Sequence, residues 1–127
     1  MAKKTDIEAL ISSQQVELDA VLLYKALADL CKNEEEKNTF LSMAADEGRH
    51  AAILKEYTGA LLKPSDKLAK MAAAMYKNGG KKLLLRIMSE FEINSYFTYQ
   101  KYFVNYPKIA NIASDEVRHG HLLSDMI

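Results

Sequence analysis

Residues that recur every three or four positions define four long stripes along the chain. The first is Leu10, Gln14, Glu17, Val21, Tyr24, Ala28 and Cys31, and the second is Phe40, Met43, Glu47, His50, Leu54 and Tyr57. The third is Leu85, Met88, Glu92, Tyr96, Tyr99 and Phe103, and the fourth is Ile109, Ile112, Glu116, His119, Leu123 and Met126. That period keeps one face of an α-helix turned to a core. Each stripe is apolar at its ends and ionisable near its middle. Turn and cap residues divide the same stretches. Thr5 and Glu8 have the spacing of a capping box, which predicts a first helix running to about Cys31. Asn33 followed by Glu34, Glu35 and Glu36 predicts a capped second helix ending near Gly59. Pro64 to Lys67 opens a short third segment that stops near Asn78. A long helix is expected from about Lys81 to Val104, and Pro107 suits the first position of the last one. The prediction is an all-α four-helix bundle with a short helical crossover between its second and third long helices. A chain of 127 residues suits one domain over 1–127.

The stripes conceal a repeat. Residues 44–54 read AADEGRHAAIL and residues 113–123 read ASDEVRHGHLL. Three residues turn a helix by about 300°, so Glu47 shares a face with His50, and Glu116 with His119. Glu17 and Tyr24 are two turns apart, and Glu92 and Tyr99 repeat that spacing. The chain thus reads as two similar halves. Either Glu-x-x-His alone would pass for a surface pair on an amphipathic helix. Together with Glu17 and Glu92, all six groups fall on apolar stripes. Glu90 does not, because two residues turn the helix by about 200°. His121 points away from His119 for the same reason.

Four carboxylates and two imidazoles in a core are costly unless compensated, and a buried unpaired charge costs several kcal/mol. No Lys or Arg lies on these stripes. Two divalent cations would supply four positive charges against four carboxylates. The oxygen and nitrogen donors suit iron or manganese and tolerate zinc. A Glu from each of two helices plus Glu-x-x-His from each of the other two is a known arrangement in bundles with two metal ions. The remaining composition excludes other classes. Acidic and basic residues balance at 17 each, so nucleic acid and anionic membranes are not expected partners. A single cysteine, Cys31, excludes an internal disulfide framework and a Cys-rich metal knuckle. No apolar run approaches the ~20 residues of a membrane span, and the opening residues lack a signal-peptide core, which predicts a cytoplasmic protein.

On the doubled Glu-x-x-His, each preceded by Asp, the chain resembles the ferritin-like superfamily, and within it the rubrerythrins, over about Glu8 to Met126. The resemblance implies a di-iron centre. Glu47 and Glu116 would bridge two iron ions, Glu17 and Glu92 would be terminal ligands, and His50 and His119 the nitrogen ligands. Tyr24 and Tyr99 would donate to carboxylates across the bundle. Asp46 and Asp115 would accept the second imidazole N–H of the opposite helix's histidine, which orients the ligand. Arg49 and Arg118 are expected in surface pairs.

The implied activity is reduction of hydrogen peroxide or dioxygen. Two departures from the family qualify it. Rubrerythrins typically carry a four-cysteine rubredoxin-like domain, which one Cys cannot build, so the reductant would be an external carrier such as a rubredoxin. They also carry an extra Glu one turn after the third-helix ligand, linked with peroxide reduction, where this chain has Ser95. The alternatives are a ferroxidase or iron-handling protein, and a bundle whose polar layer merely binds metal. A homodimer, with helices exchanged across the crossover, is expected. The short crossover predicts little room for a substrate channel.

Overall fold

A computed structural model describes residues 3–127 and contains five helices, with no strand among them. The first, α1, spans Lys4–Leu30. It begins before Thr5, which therefore lies inside the helix, and no side chain caps its N-terminus. The predicted capping box is not formed. Asp6 occupies the first turn instead, where it favours the helix dipole and accepts a hydrogen bond from Tyr106 Oη at 3.4 Å. Helix α2 spans Glu34–Thr58. Here the prediction holds, because the Asn33 side chain accepts from Glu36 N at 3.0 Å and Gly59 ends the helix at φ 67°.

The crossover first runs without regular structure along α1. Gln14, almost wholly buried, donates to Ala60 O at 3.0 Å and accepts from Thr58 Oγ1 at 2.5 Å. Asp19 accepts from Ser65 N at 2.7 Å. Helix α3, Lys67–Lys77, then packs mainly on α1 and touches α4, which spans Lys81–Gln100. Helix α4 stops short of the expected Val104. The amides of Tyr102 and Phe103 bond three residues back, to Tyr99 O and Gln100 O, which tightens the chain out of α-helical phase. Tyr102 and Tyr106 consequently enter the core, while the predicted Phe103 is only half-buried. Pro107 lies in the turn before the last helix, α5, Ile109–Asp125, and not at its first position.

Helices α1 and α2 form one antiparallel pair and α4 and α5 the other, joined chiefly through α2 and α5. No Cα atom of α1 comes within 8 Å of one in α4. Two apolar cores fill the ends of this ferritin-like bundle. One gathers Tyr24, Leu27, Phe40, Met43, Leu85 and Leu123; the other gathers Leu10, Leu54, Tyr99, Tyr102, Ile109 and Ile112. All six predicted metal ligands are buried, on the helix turns between these cores.

One glycine sets the spacing of the second pair. A Cβ on Gly120 would lie 2.3 Å from Ile93 Cγ1 and 3.0 Å from Ser89 O, while Ser89 Oγ donates to Gly120 O at 2.7 Å. Gly120→Ala therefore wedges α5 from α4, and the intrinsic helix gain of alanine does not offset this. We expect a loss of ~1–3 kcal/mol in urea unfolding with helical content retained.

Candidate metal centre

Each of the six stripe residues is at most 3 % exposed. Each also has one ligand-type atom that is buried with no hydrogen-bond partner: Glu17 Oε2, Glu47 Oε1, His50 Nδ1, Glu92 Oε2, Glu116 Oε1 and His119 Nδ1. Native cores rarely leave such atoms unsatisfied. These converge. His50 Nδ1 is 3.1 Å from Glu116 Oε1, 3.5 Å from Glu17 Oε2 and 3.6 Å from Glu47 Oε1. His119 Nδ1 is 3.0 Å from Glu47 Oε1 and 3.8 Å from Glu92 Oε2. Ligand atoms at ~2.0–2.2 Å from one cation sit about 3 Å apart when they are neighbours around it. The ligand atoms fall into two tetrads whose members all lie within 4.8 Å of one another: Glu17, Glu47, His50, Glu116, and Glu47, Glu92, Glu116, His119. The pattern of orphaned donors fits metal ions. Glu47 and Glu116 belong to both tetrads.

The surrounding contacts repeat the internal symmetry. Tyr24 on α1 donates to Glu92 Oε1 on α4, and Tyr99 on α4 donates to Glu17 Oε1 on α1 at 2.9 Å. Each carboxylate is thus held by one oxygen while the other faces the centre. Burial first, then the charges of Glu92 and Glu47, push the Tyr24 hydroxyl well above its ordinary pKa; burial and the Glu17 charge do the same to Tyr99. Both stay protonated and act as donors.

The histidines are held from the other side. His50 Nε2 lies 2.7 Å from Asp115 Oδ2, and His119 Nε2 lies 2.8 Å from Asp46 Oδ2. A carboxylate only accepts, so Nε2 carries the proton and Nδ1 is turned to the centre. The aspartates are fixed in turn by a ring of arginines. Arg49 reaches Asp46 at 2.5 Å and Asp115 at 3.3 Å, and Arg118 reaches them at 2.8 and 3.3 Å. Burial alone would raise the Asp46 pKa, but His119, Arg118 and Arg49 hold it well below its usual range. Asp115 is held down likewise by His50 and Arg118.

The sequence pattern of the rubrerythrin family matches residues 8–127. The chain belongs to the rubrerythrin family. No curated protein and no solved structure matches it. The buried Glu/His cluster is compatible with a metal centre. No described helix is long and apolar enough to cross a membrane.

The structure brings Glu17, Glu47, His50, Glu92, Glu116 and His119 together and leaves Glu90 and His121 exposed at the surface. Asp46 and Asp115 meet both their histidines and the arginines. The surface pairs expected of Arg49 and Arg118 form, and each arginine reaches the aspartate of the opposite helix as well as that of its own. Little room for a channel was expected; a cavity of about 460 Å³ instead opens between α1 and α4 and reaches Glu17, Glu47, Glu92 and Glu116. The small side chains of Ser13, Ala20 and Ser95 leave that gap unfilled. Asp46→Asn and Asp115→Asn should each weaken metal binding ~10–100-fold in anaerobic titrations while leaving helical content unchanged. Unaltered affinity would show that the aspartates serve only their arginine ring.

Proposed function

We propose that this chain is a di-iron redox protein that reduces hydrogen peroxide or dioxygen with electrons from an external carrier. The observation that supports this reading is the set of six orphaned buried donors in two tetrads sharing Glu47 and Glu116. In this reading Glu47 and Glu116 would serve both ions, Glu17 and His50 would hold one, and Glu92 and His119 the other; the donor set also suits manganese and tolerates zinc. Two ferrous ions held side by side would supply the two electrons that cleave an O–O bond. The chain's own groups do the rest. Tyr24 and Tyr99 fix the rotamers of Glu92 and Glu17, so each presents a single oxygen inward. Asp46 and Asp115 keep both imidazoles in the ligating tautomer. The apolar groove beside α1 and α4 gives a small oxidant a path to the four carboxylates.

Ser95 supports a second reading, iron oxidation or binding without turnover. It lines the groove where the resemblance leads one to expect a carboxylate, and its hydroxyl donates to Phe91 O at 2.8 Å. One experiment separates the two. Protein loaded anaerobically with ferrous iron is challenged with peroxide and then given a small iron–sulfur carrier as reductant. Repeated peroxide consumption supports the redox enzyme. A single oxidation without re-reduction supports iron oxidation, and bound metal with no spectral change on the peroxide challenge removes the redox enzyme and leaves binding without turnover.

A further inference from the structure

The groove between α1 and α4 changes character along its length. Tyr24 donates to Glu92 and Tyr99 donates to Glu17, so residue numbers rise along α1 as they fall along α4. One end of the groove is therefore lined by Ser12 and Ser13 of α1 with Thr98 of α4. The other end is lined by Leu23 of α1 with Leu84, Ile87 and Met88 of α4. The crossover climbs α1 from Gln14, beside Ala60, to Asp19, beside Ser65, and so delivers Leu68 of α3 to the apolar end. Glu17 and Glu92 lie between the two ends. Leu23, Leu84 and Met88 are buried, which makes the apolar end a recess in the fold and not a surface stripe.

This shape exceeds what hydrogen peroxide needs. A water molecule takes about 30 Å³ in the liquid, and an apolar cavity of about 150 Å³ stays dry and takes up benzene. The groove holds about 460 Å³. Its polar end is enough to bring a water-sized oxidant to the carboxylates, and its apolar end offers such a molecule no hydrogen bond. Apolar walls with a few polar groups gathered at one point suit a small organic ligand. That ligand has a reactive polar head and a hydrocarbon tail.

We propose that the oxidant is a linear alkyl hydroperoxide such as n-octyl hydroperoxide, with its tail at the apolar end and its O–O group level with the carboxylates. The assignment rests on the redox reading above and narrows its substrate. Reduction breaks the O–O bond of the hydroperoxide. Two electrons come from the external carrier and two protons from water, and one alcohol and one water are formed.

Binding is tested first on metal-free protein, titrated calorimetrically with n-butanol, n-hexanol and n-octanol as stand-ins for the product. Affinity should rise by about threefold for each methylene buried. Ile87→Asp or Leu68→Asp places a charge beside the tail and should weaken octanol binding by roughly tenfold or more, whereas Ile87→Leu should preserve it. Both positions are about half exposed, so the fold does not depend on them, and circular dichroism checks that the helices remain. Iron-loaded protein with its carrier is then given n-octyl hydroperoxide or hydrogen peroxide. The parent should show the lower KM for the octyl substrate. Ile87→Asp should raise that KM by roughly tenfold and move the KM for hydrogen peroxide far less. Octanol that fails to bind, an affinity that is flat with chain length, or an Asp variant that shifts both peroxides alike overturns the proposal and leaves the redox reading in place. Loaded protein that consumes neither peroxide removes the redox reading, and the hydroperoxide with it, even where octanol binds.

Discussion

Glu47→Ala and Glu116→Ala should each lower bound metal from two ions per chain to one or none, whereas Glu90→Ala should leave it unchanged. Both tetrads draw on Glu47 and Glu116, so losing either removes an oxygen donor from both positions. Glu17 and Glu92 each serve one tetrad, so Glu17→Ala or Glu92→Ala should retain about one ion. Elemental analysis after anaerobic loading reads all five variants. A second sign follows from the same burial. Without metal, the Glu116 carboxyl sits among other acids, and burial with the Glu17 charge pushes its pKa up to about 10. Replacing a whole buried ion pair with apolar groups of similar volume is often neutral or stabilising by ~1–4 kcal/mol, and a Glu116 carboxyl already protonated brings no charge of its own to be lost. Glu116→Leu should therefore hold or raise the metal-free melting temperature while abolishing the rise that metal gives the parent. If Glu116→Leu unfolds the metal-free chain, the cluster is a structural network and not a vacant cation site. Loss of metal in Glu90→Ala would mean that α4 is turned by half a helix from its described phase.

That phase was legible because period and burial agree. Glu92 is seven residues before Tyr99 and four after Met88, and all three are buried; Glu90 shares neither spacing and is exposed. The pairing of each histidine with the opposite aspartate was also within reach, since a repeated Asp-Glu-x-x-His on antiparallel helices puts each Asp at the other's His. The chain between α4 and α5 was less legible. Its phase depends on where α-helical bonding gives way to three-residue bonding, and local propensity does not mark that point in Lys101–Tyr106. Tyr106 closes the turn by packing edge-on against Tyr57 and donating to Asp6, partners remote in sequence. The groove escaped detection for a related reason. Crossover length says little about the gap between α1 and α4. That gap is spanned by two tyrosine–glutamate hydrogen bonds and left open by small side chains.

Metal should also reverse the pH dependence of stability. In the metal-free chain, burial and then the Glu17 charge raise the Glu47 and Glu116 pKa values, the latter from 4.5 to about 10. For His50, burial lowers the pKa, but the contacts with Glu116 and Glu17 outweigh it and raise the value from 6.5 to about 10. A group that binds its proton more tightly when folded stabilises the fold fully below its unfolded pKa. That stabilisation is lost as pH rises through the folded value. All three groups act in this direction, so metal-free stability should fall between about pH 5 and pH 10. Asp46 and Asp115 are shifted the other way and lose their contribution only in acid, below about pH 4, outside that window. One kcal/mol moves the melting temperature of a domain this size by ~2–8 °C, so a drop of about 10 °C from pH 5 to pH 9 is expected with chelator present. Ligating carboxylates and imidazoles must give up those protons, so metal binding strengthens as pH rises. Its stabilisation, set by RT ln(1 + [L]/Kd), should grow over the interval in which the metal-free fold weakens. Thermal melts at pH 5, 7 and 9, with chelator and with ferrous iron under nitrogen, would measure both slopes. A metal-free melting temperature that holds constant or climbs toward pH 9 would mean that the six groups are already satisfied by one another, and the reason for placing cations among them would disappear.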